Sequence, residues 1–288
     1  MQNVPAKRQG SSDELPIPRA PVRVSIDVRP QPLAAAIAVE ATFDEVIHHI
    51  DDLDLTAFLR IAGSFAPERY GYVVTPNVDH LIRCHEDPSY RAIYRAADFA
   101  LLDSRFAAYL LRVTKGLRLP VCPGSDLFPE LLQNVVQPSD PLVLIGGTDA
   151  QAEMLRRLYG LANLRHYNPP MGFIRDPAEV EKCLEFIETT GPFRFCFLMV
   201  GAPQQEQVAH QLKQRGRARG LVFCLGASLN FITGAERRAP IWMRRLALEW
   251  LYRLMQDPRR LAGRYLLRGP RIFGQLRRAR VVLRTTSA

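Results

Sequence analysis

The sequence predicts an α/β fold with a mainly parallel, Rossmann-like sheet, helices on both faces and a C-terminal helical appendage. Two observations lead to this prediction. Short, continuously apolar runs, typical of fully buried strands, alternate with segments of helical periodicity. The last fifth of the chain departs from this alternation and carries amphipathic, arginine-rich patterns. Strand–helix alternation implies right-handed crossovers between parallel strands.

Six apolar runs are expected to form strands, and in chain order they read AAAIAVEA, YGYVVTPN, ADFALLDS, PLVLIGGT, FRFCFLMVGAP and GLVFCLGASLN. Helix signals lie between them. Asp87 with Pro88 predicts the start of one helix. Thr148 with Gln151 matches a capping box, and an Asp-Pro pair opens another helix that ends near Gly191. The segment TFDEVIHHIDDLDLTAFL is predicted as a further amphipathic helix.

Composition divides the chain into three predicted segments. Residues 1–32 are rich in Pro, Ser, Gln and charge, which predicts a disordered tail. Residues 33–234 hold the α/β domain, and residues 235–288 hold the appendage. From residue 233 onward there are 14 arginines and three acidic residues, whereas the whole chain has a net charge of +9. The excess positive charge therefore belongs to the appendage, and it favours a polyanionic partner such as anionic lipid, a diphosphate or nucleic acid.

Composition also indicates the compartment. No apolar run approaches the ~20 residues of a membrane-spanning helix. The N-terminal segment lacks the apolar stretch of a secretory signal. The five cysteines are scattered without a CxxC pair, which favours reduced thiols. We therefore expect a cytoplasmic protein.

One short motif has two interpretations. Asp52-Leu53-Asp54, close to His48 and His49, matches the Asp-x-Asp pattern that in many glycosyltransferases holds a divalent cation against a diphosphate. The motif falls inside the predicted amphipathic helix rather than at a strand end. The helical periodicity therefore favours a solvated helix face over a metal site.

The strand ends carry the candidate site. In parallel sheets, ligands bind beyond the carboxyl ends of the strands. Five such ends are polar or glycine-rich, and they are Thr75-Pro76-Asn77, Asp103-Ser104-Arg105, Gly146-Gly147-Thr148, residues 201–206 and residues 226–230. The Gly146-Gly147 pair allows close approach of a nucleotide before a capped helix, whose N-terminus suits a phosphate. Asp103 fits either a catalytic role or the N-cap of the following helix.

These motifs resemble the WecG/TagA/CpsF family of bacterial glycosyltransferases. The matching stretches cover roughly residues 40–268 and read TPNVDHL, ADFALLDS, PGSDLFPELL, LIGG, VGAPQQE, GASLNFITG and RRAPIWMRRLALEWLYRL. The resemblance implies an inverting enzyme that moves a sugar from a UDP-sugar donor to a polyprenyl-diphosphate-linked acceptor, without a metal or other cofactor. It also implies that the appendage docks on the anionic inner face of the cytoplasmic membrane.

The resemblance, together with the strand-end pattern, gives the expected roles in the site. It implies that Asp103 is the base that takes the acceptor proton and that Thr75 lies beside it in the catalytic pocket. Arginines of the appendage are expected to stabilise the leaving diphosphate in place of a metal. The predicted substrate-binding residues are Asn77, Gly146, Gly147, Gly201, Gln205, Glu206, Asn230, Arg253, Arg260 and Arg264.

Some positions depart from the family pattern. This chain has TPNVD where relatives often have TPNPE, LPVCPGSD without an arginine that relatives often carry, and Asn230 where relatives often have Asp. The departures favour a plain hexose such as glucose, and hence a hexosyltransferase of exopolysaccharide assembly. The alternative donor is UDP-N-acetylmannosamine or its uronic acid, for teichoic acid or an enterobacterial-type antigen.

Two other classes of protein are disfavoured. A nucleic-acid binder built on the arginine-rich tail is the remote alternative, because the polar residues concentrate at strand ends far from that tail. We therefore expect no nucleic-acid partner. The sequence leaves homo-oligomerisation as an open alternative. A dinucleotide oxidoreductase is disfavoured because no GxGxxG follows a predicted strand.

Overall fold

A computed structural model of the chain describes residues 37–43 and 46–285, so the predicted tail at 1–32 lies outside the described residues. The strands are β1 Ile37–Phe43, β2 Val46–Asp51, β3 Tyr70–Val74, β4 Phe99–Ala100, β5 Leu142–Ile145, β6 Leu164–Tyr167, β7 Phe195–Leu198, β8 Gly220–Cys224 and β9 Ala279–Thr285. The helices are α1 Leu55–Gly63, α2 Val78–Glu86, α3 Pro88–Arg95, α4 Arg105–Lys115, α5 Gly124–Asn134, α6 Asp149–Tyr159, α7 Pro177–Thr189, α8 Gln204–Arg215, α9 Ser228–Ile232, α10 Ile241–Arg245, α11 Glu249–Gln256, α12 Pro258–Ala262 and α13 Arg271–Arg278. A 3₁₀ turn covers Phe173–Arg175 and a π-helical segment covers Gly263–Arg268.

The predicted parallel sheet is confirmed. Six strands pair in the order β4-β3-β8-β7-β5-β6, and every pairing is parallel. Successive side chains of a strand point to opposite faces. On β7, Phe195 and Phe197 enter one hydrophobic core, whereas Cys196 and Leu198 enter the other. Helices therefore cover both faces, which is why the central strands are apolar throughout.

Three helix starts follow their predicted caps. The Asp87 side chain accepts from the backbone N–H groups of the first turn of α3, and Pro88 opens that helix. Thr148 and Gln151 form a capping box at α6, and Asp176 caps α7. All five cysteines, which lie within the described residues, are buried and free, as predicted.

The amphipathic helix predicted for the segment TFDEVIHHIDDLDLTAFL is wrong over its first half. Residues 46–51 form β2, which pairs antiparallel with β1, and only Leu55–Gly63 is helical. The segment is rich in β-branched residues, which favour a strand. β1 was predicted as a strand of the main sheet. It lies instead in a separate three-stranded sheet with the order β2-β1-β9. β6 went unpredicted, since this edge strand reads LRHY and lacks a continuous apolar run.

The C-terminal region is helical but more broken than its apolar stripe predicts. α10 ends at Arg245 and α11 begins at Glu249, with Ala247 between them at a φ of 59°. A left-handed alanine costs about 1 kcal/mol, and local hydrogen bonds stabilise this turn: the Ala247 N–H donates to the Arg244 carbonyl at 3.1 Å and the Leu248 N–H to the Met243 carbonyl at 2.8 Å. The fully buried Ile272 of α13 belongs to the core formed with α2 and α4, and β9 pairs with β1. These contacts cross the predicted boundary at residue 234.

No helix of the described residues is long and apolar enough to cross a membrane.

Candidate active site

The carboxyl ends of the parallel strands open onto two adjoining cavities. One has a volume of about 620 Å³ and is lined by backbone and polar side chains that include Thr75 and Gln205. The other has a volume of about 430 Å³, and most of its exposed wall is apolar, although three acidic and three basic residues also line it: Asp79, Asp103, Arg105, Arg244, Glu249 and Arg253. We refer to them as the polar cavity and the apolar cavity. Both are lined by Asn77, Asp103 and Arg253, so these three residues lie where the cavities meet.

Asp103 does not cap the helix that follows it. Ser104 caps α4 instead, because its Oγ accepts the N–H of Ala107 at 3.0 Å. The Asp103 carboxylate accepts hydrogen bonds from the backbone N–H of Gly124 and from the Asn77 side chain. The cap interpretation is therefore wrong, and the carboxylate faces the two cavities.

The surroundings of Asp103 tune its acidity. The pKa of this carboxyl is raised to about 7, mainly by burial and in smaller part by the negative charge of Glu249. The guanidinium of Arg253 and the two hydrogen bonds act in the opposite direction. Arg253 also forms an ion pair with Glu249 at 3.5 Å. A carboxyl that titrates near neutral pH beside an open cavity can accept a proton from a bound hydroxyl.

Asn77 holds Asp103 in place. Its Oδ1 accepts the N–H groups of Asp79 at 3.0 Å and His80 at 3.4 Å, which caps α2. With Oδ1 engaged in the cap, the amide side of the same group is left to donate to Asp103. Asn77 was predicted to bind substrate, and the structure adds this positioning contact to its place at the cavities.

The first turn of α8 contains the predicted Gln-Glu pair. Gln205 lines the polar cavity; its Oε1 accepts the N–H of Gly226 at 2.8 Å, and its Nε2 donates to Glu206 Oε1 at 2.8 Å. Glu206 is fully buried and also accepts from the Tyr94 hydroxyl at 3.4 Å. Burial raises the pKa of Glu206 to about 7, although the Gln205 hydrogen bond and the charge of Arg83 lower it.

Comparisons with known proteins identify the family of the chain. The model of the glycosyl transferase WecG/TagA/CpsF family matches residues 46–286. The chain belongs to this family. It is also 27% identical, over 218 residues, to the N-acetylglucosaminyldiphosphoundecaprenol N-acetyl-beta-D-mannosaminyltransferase of Bacillus spizizenii, a match that covers 73% of this chain and 81% of that relative.

Other predicted residues of this glycosyltransferase also reach the polar cavity. Thr75 lines it and is buried, and its hydroxyl donates to the Cys224 carbonyl at 3.1 Å, which ties the ends of β3 and β8 together. Gly201 lines the same cavity in a left-handed conformation, with a φ of 77°. Arg253 packs its guanidinium over the Phe231 ring at 5.1 Å. Residues of the stretches GASLNFITG and RRAPIWMRRLALEWLYRL, Phe231 and Arg253, therefore both line the polar cavity.

Four of the predicted substrate-binding residues line neither of the two cavities. Glu206 lies behind Gln205 and lines neither cavity. Asn230 also lines neither, because its Oδ1 accepts from Gln151 and its Nδ2 donates to Glu236 at 3.0 Å. The remaining two are Gly146 and Gly147, which likewise line neither cavity.

The Gly146-Gly147 pair has a packing role instead. A Cβ on Gly147 would approach Leu229 to 2.3 Å, and both glycines have a positive φ. The pair therefore lets the end of β5 pack against α9.

Arg260 and Arg264 are placed only by their backbone. Arg260 belongs to α12 and Arg264 to the π-helical segment, and their side chains lie outside the described residues.

Sequence reasoning missed several polar residues that line the polar cavity, namely His80, Ser125, Ser228, Glu236, Arg237, Gln256 and Asp257. His80 is buried there, and its Nδ1 accepts the Asn77 backbone N–H at 3.3 Å. The available signal was its position three residues after the cap in TPNVDH. Arg237 lines the same cavity from the start of the C-terminal region. The available signal for Arg237 was its place in Arg237-Arg238, the first arginine pair of that region.

The Asp-x-Asp motif lies outside the cavities and not on a helix face. Asp52 is exposed directly after β2, and Asp54 caps α1 by accepting the N–H of Ala57 at 2.7 Å. Within the described part of the chain, no three His, Cys, Asp or Glu side chains are grouped as a metal site requires. The side chains of the neighbouring His48 and His49 lie outside that part.

Proposed function

We propose that the chain is an inverting glycosyltransferase that moves a sugar from a UDP-sugar to a polyprenyl-diphosphate-linked saccharide in cell-surface polysaccharide synthesis. The observation that carries the proposal is the position of Asp103. Its carboxyl lies where a polar and an apolar cavity meet, with a pKa near 7 and no capping role. A transferase with one nucleotide substrate and one lipid-linked substrate needs such a junction.

The polar cavity suits the nucleotide donor. Gly124, Gly201 and Gly226 line this cavity, so small residues leave room for a ligand close to the backbone. Arg237 and Arg253 add positive charge on the same wall. Guanidinium groups bind phosphate oxygens in a bidentate manner, which suits the diphosphate of a UDP-sugar.

The reaction follows from this placement. The Asp103 carboxylate takes the proton of the acceptor hydroxyl as its oxygen attacks the anomeric carbon. The bond from that carbon to the diphosphate breaks on the opposite side, so UDP leaves and the anomeric configuration inverts. Arg253 stabilises the negative charge that develops on the leaving diphosphate. No step in this scheme requires a metal, which is part of the proposal.

The comparisons change the preferred donor. The expectation of a plain hexose relied in part on Asn230, but this side chain is bound to Gln151 and Glu236 and lines neither cavity. The name of the Bacillus spizizenii relative specifies N-acetylmannosaminyl transfer. We therefore propose N-acetylmannosamine first, on N-acetylglucosaminyl-diphospho-lipid as the acceptor, and a hexose second.

A donor screen tests the function. Purified protein is given UDP-N-acetylmannosamine, UDP-N-acetylglucosamine or UDP-glucose with a polyprenyl-diphosphate-linked N-acetylglucosamine, and UDP release is followed with and without EDTA. We expect acceptor-dependent release with the first donor and no effect of EDTA. Absence of release with every donor would contradict the function. Loss of release in EDTA would contradict the metal-free mechanism.

The exposed apolar side chains support peripheral membrane association at the cytoplasmic face. The large apolar residues that are more than half exposed in the C-terminal region are Ile241, Trp242, Leu246, Met255, Leu266, Leu267 and Phe273. Aromatic and aliphatic side chains beside arginines suit the headgroup region of a bilayer. Flotation with anionic vesicles should recover the wild type and lose most of a Trp242→Ser, Leu246→Ser double variant; equal recovery would contradict this docking face.

A further inference from the structure

Three arginines surround one carboxylate beside the apolar cavity. Arg238 Nη1 lies 2.6 Å from Asp126 Oδ1, and Arg244 Nη1 lies 3.8 Å from the same oxygen. Arg105 Nη2 lies 3.7 Å from Asp126 Oδ2. Among the described residues these arginines form no other ion pair, so a single negative charge faces three positive ones. We refer to these four residues as the arginine cluster.

The cluster has unused hydrogen-bond donors. Arg105 Nη1, Arg238 Nε and Nη2, and Arg244 Nε are buried and have no hydrogen-bond partner within the described part of the chain. Donors left without an acceptor cost free energy, so the cluster as described favours the arrival of an anion. Arg105 and Arg244 line the apolar cavity, with 36% and 23% of their side chains exposed. A ligand in that cavity can therefore reach them.

The rest of the apolar cavity suits a hydrocarbon chain. Its walls include Ile82, Phe106, Trp250, Leu266 and Phe273. Leu266 and Phe273 are also more than half exposed, so the apolar surface continues from the cavity to the outside of the protein. A cavity with apolar walls and a cationic end fits a ligand that joins an apolar chain to an anionic head.

We propose that Arg105 and Arg244, held in place by Arg238 and Asp126, bind the diphosphate of the lipid-linked acceptor, with its first isoprene units in the apolar cavity. This inference rests on the proposed function. A diphosphate diester has one ionised oxygen on each phosphate, which matches the two positive charges that Asp126 leaves uncompensated. Asp103 lines the same cavity, so the acceptor sugar beyond the diphosphate lies next to the base.

The proposal separates the two diphosphates of the reaction. The donor diphosphate binds in the polar cavity near Arg237 and Arg253, whereas the acceptor diphosphate binds at the arginine cluster on the other side of Asp103. Changes in the cluster should therefore weaken acceptor binding and leave UDP binding unchanged.

Equilibrium binding to the full chain tests this separation. The ligands are farnesyl diphospho-N-acetylglucosamine, its single-phosphate analogue, and UDP, each titrated by calorimetry. Arg105→Gln and Arg244→Gln should each raise the Kd for the diphospho ligand about 10-fold or more, the loss expected for one charged hydrogen bond. Their Kd for UDP should stay within about twofold of the wild type. Arg244→Lys should recover part of the affinity, because it keeps the charge without the planar fork.

Arg245→Gln is the matched control, because Arg245 is the exposed neighbour of Arg244 on α10 and lines neither cavity. It should leave both Kd values unchanged. The wild type should bind the diphospho ligand at least 10-fold more tightly than the single-phosphate analogue. This comparison needs no variant, so it holds even if a substitution prevents folding.

Four outcomes would overturn the proposal, and a fifth concerns the proposed function alone. Equal affinity of the wild type for the two lipid analogues would overturn it. An unchanged Kd for the diphospho ligand in folded Arg105→Gln and Arg244→Gln would overturn it too, as would a raised Kd for UDP alone. If these variants lose only their binding to phosphatidylglycerol vesicles, the cluster serves lipid headgroups and the proposal is wrong. Normal ligand binding without sugar transfer would contradict the proposed function and leave the acceptor site standing.

Discussion

Two carboxyl groups at the same edge of the sheet have similar acidity and different access. Burial raises the pKa of both Asp103 and Glu206 to about 7. Asp103 lines both cavities, whereas Glu206 is fully buried between Gln205 and Tyr94. A raised pKa therefore identifies two candidates, and access to a cavity distinguishes the base from the positioning residue.

The hydrogen bonds around the two groups support this distinction. The Asp103 carboxylate accepts from Gly124 and Asn77, which fix it while it faces open space. Glu206 Oε1 accepts from Gln205, whose other end accepts from Gly226 at the wall of the polar cavity. Glu206 therefore acts on the site through the orientation of the Gln205 amide.

The largest expected effect comes from Asp103→Asn. The amide cannot accept the acceptor proton, so kcat should fall by about 10²–10⁴-fold. The KM for the UDP-sugar should change little, because the shape of the site is kept. The melting temperature at pH 8 should not fall, because the variant lacks a buried charge that itself lowers stability above the usual pKa of Asp. Steady-state kinetics at pH 8 check this prediction.

Ser104→Ala is the matched control for the neighbouring cap. It removes the hydrogen bond to the Ala107 N–H, so the protein should lose about 1 kcal/mol of stability and keep its kcat. If Asp103→Asn retains activity within about twofold of the wild type, Asp103 is not the base.

Glu206→Gln should change the pH dependence of stability. The folded pKa of about 7 exceeds the usual value of 4.5, so the unfolded chain loses this proton first as pH rises. This group therefore lowers stability as pH rises from about 4.5 to about 7, by roughly 3 kcal/mol in total. Glu206→Gln should remove that loss, which urea unfolding at pH 5 and pH 8 will measure.

The same variant sharpens the comparison in kinetics. The acidic limb of kcat/KM should persist in Glu206→Gln, because that limb reports the protonation of Asp103. If the acidic limb disappears in Glu206→Gln and remains in variants of other residues, the base is Glu206 and not Asp103.

Much of this arrangement could be read from the sequence, since buried parallel strands are continuously apolar and their ends carry the polar motifs. The antiparallel pairing of β1 with β9 joins residues near 40 and 280, and no local pattern reports such a contact. Gln205 and Glu206 were predicted together, but adjacent residues of a helix point about 100° apart. One therefore faces the cavity and the other the core, and only the packing of α8 decides which.

A smaller effect should come from the charges that flank Asp103. Arg253 lowers the pKa of Asp103 and Glu249 raises it. Arg253→Gln should therefore move the acidic limb of kcat/KM to higher pH, and Glu249→Gln should move it to lower pH. After each profile is scaled to its own plateau, kcat/KM at pH 6 should differ between the two variants by about two- to tenfold. Arg245→Gln should leave the limb in place, and shifts of the same sign in both variants would contradict the electrostatic account.

The smallest expected effect is that of Tyr94→Phe, which removes two hydrogen bonds of 3.4 Å, one donated to Glu206 and one accepted from the Tyr90 hydroxyl. Bonds of this length contribute little, so stability should fall by about 1 kcal/mol or less. The fall should be greater at pH 8 than at pH 5, because the lost bond to Glu206 is stronger to an ionised carboxylate. Tyr90→Phe is the matched control, because Tyr90 donates to the Tyr94 hydroxyl and its cost should not depend on pH. A loss of kcat in Tyr94→Phe at pH 8 would mean that Glu206 influences catalysis more directly than its burial behind Gln205 implies.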